Sequence, residues 1–149
     1  MIPPLGKFGL LPPGIHWATW DEVAAAFGQT AQRRQLLEGL RAATESLIAA
    51  GGSVIYLDGS FVTRKVEPED FDACWSSVGV NPDKLDPVLL DVSDGRRAQK
   101  EKFGGELLNA ETPADFEGRT FLEYFQQEVR RGVLRRKGII GIRLRGELS

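Results

Sequence analysis

An apolar run, Val54-Ile55-Tyr56-Leu57, leads into Asp58-Gly59-Ser60. A short run of β-branched and aromatic residues stopped by turn residues predicts a strand over 53–57. Nine residues after Ser60 come Asp70-Phe71-Asp72, followed by Ala73-Cys74-Trp75. This second run predicts a strand over 71–75. Side chains alternate along a strand, so Asp70 and Asp72 would lie on one face. Two neighbouring carboxylates repel each other. Most structural positions avoid that arrangement, whereas a divalent metal site uses it.

The remaining composition narrows the function classes. The 149 residues fit one domain with its own core, and 42% apolar and 27% charged content is ordinary for a globular protein. A net charge of −2 gives no overall pull toward nucleic acid or anionic membrane. The single cysteine, Cys74, excludes an internal disulfide and fits a reducing cytoplasm. No apolar run reaches the roughly 20 residues of a membrane span, and residues 1–13 carry Pro and Gly where a secretory leader would carry a basic end and an apolar core. One histidine and one cysteine are too few for a zinc site of His and Cys ligands. His16 has no Gly-x-Ser-x-Gly partner for a serine-hydrolase arrangement.

Residues 1–16, with four prolines, predict an extended arm, leaving 17–149 as a single domain. Thr19-Trp20-Asp21-Glu22 has capping-box spacing and predicts a short helix to about Phe27, stopped by Gly28. Thr30 can cap a longer helix to about Ala50. Leu36, Leu37, Leu40, Ala43, Leu47 and Ile48 form its apolar stripe, with Arg33, Arg34, Glu38, Arg41 and Glu45 largely off it. Further along, the pattern predicts a brief helical turn over 61–65, a short helix over 84–92, a charged helix over 95–102, a weak third strand over 105–109 and a helix over 120–130. Residues 130–145 hold seven cations: Arg130, Arg131, Arg135, Arg136, Lys137, Arg143 and Arg145. Within this basic segment, 139–144 reads as a strand or an arm added to a sheet edge, its own or a partner's. The sum is an α+β domain with a small mixed β-sheet flanked by helices on one side.

Gly59 has no side chain, so backbone N–H groups at the turn can approach a phosphate, and Ser60 adds a hydroxyl. A helical turn starting at Phe61 would add free N–H groups. Asp70 and Asp72 would face this turn and hold Mg²⁺ or Mn²⁺, and Arg64 and Lys65 would neutralise departing phosphates. An apolar strand, Gly59-Ser60, a nine-residue spacer and Asp70-Phe71-Asp72 resemble the signature of the nucleotidyltransferase superfamily, the DNA polymerase beta-like fold. Leu11-Pro12-Pro13-Gly14-Ile15-His16, the segment 57–63 and Lys137-Gly138-Ile139-Ile140 also resemble an uncharacterised bacterial family of small stand-alone proteins with that fold.

The superfamily resemblance implies that Gly59 and Ser60 contact a triphosphate and that Asp70 and Asp72 bind metal. It also implies a third carboxylate on a later strand that helps activate the attacking hydroxyl. Glu106 is the best match and Asp91 the second. The reading is a metal-dependent nucleotidyltransferase that moves a nucleotide from ATP or another NTP to a hydroxyl acceptor on a protein, an RNA end or a small molecule. The basic segment would bind the acceptor. The alternative is a non-catalytic binding or regulatory module of the same fold, in a toxin–antitoxin or phage-defence pair. A third reading is a nucleic-acid-binding module using the basic segment. Blander readings stand beside these: Asp70 and Asp72 as solvated loop acids, Glu106 as an exposed acid, the cations as a solvated face. Cys74, Trp17 and Trp20 read as packing residues.

Overall fold

The computed structural model describes residues 2–6 and 9–144, apart from the side chains of Ser60 and Arg130. The chain enters the sheet with β1 (Gly14–Trp17) and then forms α1 (Trp20–Phe27) and α2 (Ala31–Ala49). Thr19 and Glu22 form the expected reciprocal capping box, and Thr30 caps α2 through the Arg33 amide. After β2 (Val54–Asp58) comes a 3-10 turn (Ser60–Val62), and then β3 (Phe71–Trp75). Two more 3-10 turns, Pro82–Lys84 and Pro87–Leu90, stand where the sequence predicts one short helix. Asp86 caps the second of them and Pro87 opens it, so the segment divides there. α3 (Ser93–Phe103) leads to β4 (Gly105–Asn109).

The segment 120–130 is not one helix. α4 (Phe121–Phe125) ends after a few residues, and β5 (Gln127–Arg130) and β6 (Val133–Arg136) make a hairpin before the last strand, β7 (Gly138–Arg143). Arg131 and Gly132 both have positive φ, 52° and 76°. That backbone matches the twist of antiparallel strands and reverses the chain tightly. The order of the main sheet is β1-β7-β2-β3-β4. β7 runs parallel to β1 and antiparallel to β2, β2 is antiparallel to β3, and β3 is parallel to β4. The expected edge strand at 139–144 is therefore an inner strand. Its run Ile139-Ile140-Gly141-Ile142 is buried throughout, because both faces of β7 are covered. Gly14, Ile15 and His16, at the end of the predicted arm, are the first residues of β1.

Period-2 alternation divides the sheet into two unlike faces. Ile55, Leu57, Phe71, Ala73, Trp75, Leu107, Ile140 and Ile142 pack on α1, α2 and α3 in the main core. Cys74, Leu108 and Ile139, with Tyr56 beside them, form a smaller apolar cluster under Phe121, Leu122 and Phe125 of α4. The chain is thus an α+β domain with a mixed sheet flanked by helices, but the helices cover both faces rather than one. α2 and α3 come close at Gly39, where a Cβ would collide with the Phe103 carbonyl oxygen. Among the described residues no helix is long and apolar enough to cross a membrane.

Arg33 departs most from its expected place. It is only 3% exposed. Its guanidinium lies over the Phe61 ring at 5.3 Å and donates to the carbonyls of Phe27, Phe61 (2.6 Å), Thr63 (3.0 Å) and Lys65. The loop after β2 carries carbonyls that no sheet or helix satisfies, and one planar cation with five donors closes several at once. We expect Arg33→Met to lower unfolding free energy by about 3 kcal/mol in chemical denaturation, because buried carbonyls lose their donor. Arg41→Met, on the exposed face and paired with Glu45 at 3.7 Å, should change it by less than about 0.5 kcal/mol.

Candidate functional site

The last residue of β2 and the register of its neighbours build the site. Asp58 stands opposite Asp72, and Asp72 stands opposite Glu106. Residues opposite one another share a face and sit about 5 Å apart. Three carboxylates therefore form a row across β2, β3 and β4, on the face that also carries Tyr56, Cys74 and Leu108. Gly59 follows directly with φ 78°, and a Cβ there would collide with the Asp72 Oδ2 atom. Only glycine allows the turn and the acid to lie this close.

The row is offset unequally. Asp58 is 6% exposed and meets Lys137 Nζ at 2.7 Å. Burial raises its carboxyl above the ordinary range, and Lys137 pulls it part of the way back. Glu106 receives Arg96 Nη2 at 3.1 Å and Lys100 Nζ at 3.4 Å. Among the described residues no cation pairs with Asp72. Its carboxyl is pushed up to about 7, first by burial and then by Asp70, Glu106 and Asp58. Asp70 is also raised, chiefly by burial.

A cavity of about 410 Å³ opens over the row. Asp58, Gly59, Asp72 and Glu106 line one side, and Tyr124, Phe125 and hairpin residues Glu128, Val129 and Leu134 line the other. Three cations reach it: Arg96, Arg119 and Lys137. Arg119 is held by Asp115 at 2.5 Å and by Gln127 at 2.7 Å. Among the described residues, no three His, Cys, Asp or Glu side chains are gathered closely enough to hold a metal ion as they stand. The ion pairs on Asp58 and Glu106 give a physical reason, since both carboxylates are already turned toward cations.

Of the residues singled out from sequence, Gly59, Asp72 and Glu106 line this cavity. Asp70 lies one residue before β3 and is not among the lining residues, although its charge reaches Asp72. The Ser60 side chain lies outside the described residues. Arg64 and Lys65 line a different cavity, beside Phe27, Thr30 and Arg33, and Arg64 donates to the Leu5 carbonyl at 3.3 Å. Asp91 does not line the cavity and turns instead to Ser93, accepting from its amide at 3.0 Å and from its hydroxyl at 2.5 Å. The basic segment divides: Arg131, Arg135 and Arg136 are exposed on the hairpin, Lys137 is inside the site, Arg143 lies 4.0 Å from the Trp17 ring, and Arg145 falls outside the described residues.

Sequence reading missed Asp58, Lys137, Arg96 and Arg119 as site residues. Asp58 has a signal in its place: it ends a strand whose hairpin-like partner carries Asp72. The three cations come from distant segments, and no local spacing marks them.

The chain matches, over residues 3–143, a family of unknown function (DUF6932), and it belongs to that family. No curated protein and no solved structure matches it.

Asp72 makes stability depend on pH in a defined direction. Its folded-state value near 7 lies above the ordinary 3.8, so the folded form holds this proton more tightly than the unfolded form. The contribution is fully present below about pH 4 and is lost as pH rises through 7. Asp72→Asn should be more stable than the parent at pH 8, by an amount on the order of 2 kcal/mol, and equal to it near pH 4. Denaturation midpoints across that range measure the difference.

Proposed function

We propose that the protein is a metal-dependent nucleotidyltransferase with a DNA polymerase beta-like arrangement. The observation that carries this reading is the row Asp58, Asp72, Glu106 beside the Gly59 turn, all on one cavity wall. Glu106, the residue expected to supply the third carboxylate, stands opposite Asp72 in the pairing of β3 with β4, so the two side chains share a face. The donor set fits a hard divalent cation, because every candidate ligand is a carboxylate oxygen. Asp72, short of a cation partner and raised to about 7, is a group that such a cation would return to its ionised form.

Asp72 and Glu106 would hold Mg²⁺ or Mn²⁺ at the cavity wall, and Asp70, which does not line the cavity, would complete the set from beside Asp72. The bound ion would offset phosphate charge. Gly59 and Ser60 would contact the triphosphate at the turn. In the transfer, an acceptor hydroxyl oxygen bonds to the α-phosphorus, the bond to the bridging oxygen breaks, and pyrophosphate leaves. The hydroxyl proton would pass to a carboxylate, a role this reading assigns to Glu106. The hairpin across the cavity, with exposed Arg131, Arg135 and Arg136, is where an acceptor protein or RNA end would lie.

A second reading, a binding module without turnover, draws on one observation: Glu106 is held by Arg96 and Lys100. One experiment separates the two. Labelled NTPs with Mg²⁺ or Mn²⁺ and cell lysate should give label transfer by the parent and a loss of at least about 100-fold in Asp70→Asn/Asp72→Asn. Transfer that survives the double variant removes the assigned metal site. Thermal stabilisation by Mn²⁺ plus NTP, without transfer, favours the binding module.

A further inference from the structure

The cavity contains three cations, and they are not equally free to meet a ligand. Lys137 is the most enclosed, with its side chain 16% exposed and its partner Asp58 buried beneath it. Moving it would leave a buried carboxylate alone. Arg119 is fixed from two sides, by Asp115 and by Gln127. Arg96 differs on each count. It gives one nitrogen to Glu106, at 3.1 Å, and its Nε is buried with no partner among the described residues. Glu106 also has Lys100 at 3.4 Å, so it stays paired if Arg96 leaves.

The backbone under Arg96 is unusual. Asp94, Gly95 and Arg96 have φ values of 50°, 63° and 62°, all in the left-handed region, at the start of α3. Two of the three carry side chains, which costs on the order of 1 kcal/mol each in that region. A right-handed first turn would need no such cost. The left-handed turn brings the Arg96 guanidinium to the cavity wall beside Glu106.

We infer that Arg96 is the phosphate-contacting cation of this cavity, taking the terminal phosphates of a nucleoside triphosphate or similar polyphosphate and leaving Glu106 to Lys100 and to the metal. A planar guanidinium with an unused donor suits two oxygens of one phosphate, which a lysine ammonium cannot bridge in the same way. Each cavity cation already faces a carboxylate, so polyphosphate should bind only together with a divalent cation. This inference rests on the polyphosphate of the reading above, not on its transfer step. It also moves the phosphate-neutralising role away from Arg64 and Lys65, which face another cavity.

The test is titration calorimetry of the intact protein with inorganic tripolyphosphate, with and without Mn²⁺. The expected result is Mn²⁺-dependent binding by the parent, weakened about tenfold or more by Arg96→Gln. Arg96→Lys should fall between the two, and Arg64→Gln should bind like the parent. Thermal melting of each variant in buffer checks that α3 is intact. The inference is overturned if the parent does not bind tripolyphosphate with Mn²⁺, or if Arg96→Gln binds as tightly as the parent. It is also overturned if the Gln and Lys variants lose affinity equally. Arg96-dependent binding in a protein that transfers no nucleotide supports this inference and removes the transferase reading alone.

Discussion

Three carboxylates in one row across three strands repel one another, and much of the molecule is arranged to offset that repulsion. Asp58 is buried at the end of β2 because Lys137, at the entry to β7, reaches it at 2.7 Å. That ion pair joins the start of the last strand to the end of the first inner one. Glu106 is held by two cations from α3. Asp72, between them, is left with burial and like charges, which push its carboxyl up to about 7.

The two faces of the sheet have separate tasks. The face against α1, α2 and α3 carries the larger apolar cluster and supplies most of the burial. The opposite face is split along each strand. Tyr56, Cys74 and Leu108 are covered by α4, while Asp58, Asp72 and Glu106, two residues away in each strand, lie under the hairpin. A step of one residue in register would send all three acids into the main core, so apolar packing on one face fixes the acids on the other. The Arg33 guanidinium does comparable work for the loop between β2 and β3, holding the carbonyls of Phe61, Thr63 and Lys65 while the chain returns to Phe71.

The Thr19 capping box, the Thr30 cap, the α2 stripe apart from the exposed Ile48, β2, β3 and the short strand at 105–109 follow from spacing over a few residues. The misread segments are those where two patterns coincide. Phe121, Leu122, Phe125 and Val129 satisfy a helical period, yet the positive φ at Arg131 and Gly132 makes the second half a hairpin. Helix periodicity leaves Arg33 off the apolar stripe, because it describes apolar faces and says nothing of a loop that arrives with unsatisfied carbonyls.

The sequence by itself determined the α+β class, the Gly59 turn and the two runs that carry Asp72 and Glu106, because these depend on side-chain alternation and backbone freedom within a few residues. Only the tertiary structure decided that β7 lies inside the sheet, that Asp58 joins the row, and that Lys137 and Arg96 rather than Arg64 and Lys65 are its cations. Those positions follow from strand order and register between segments tens of residues apart. A single sequence carries the charges of such segments but not which of them will meet.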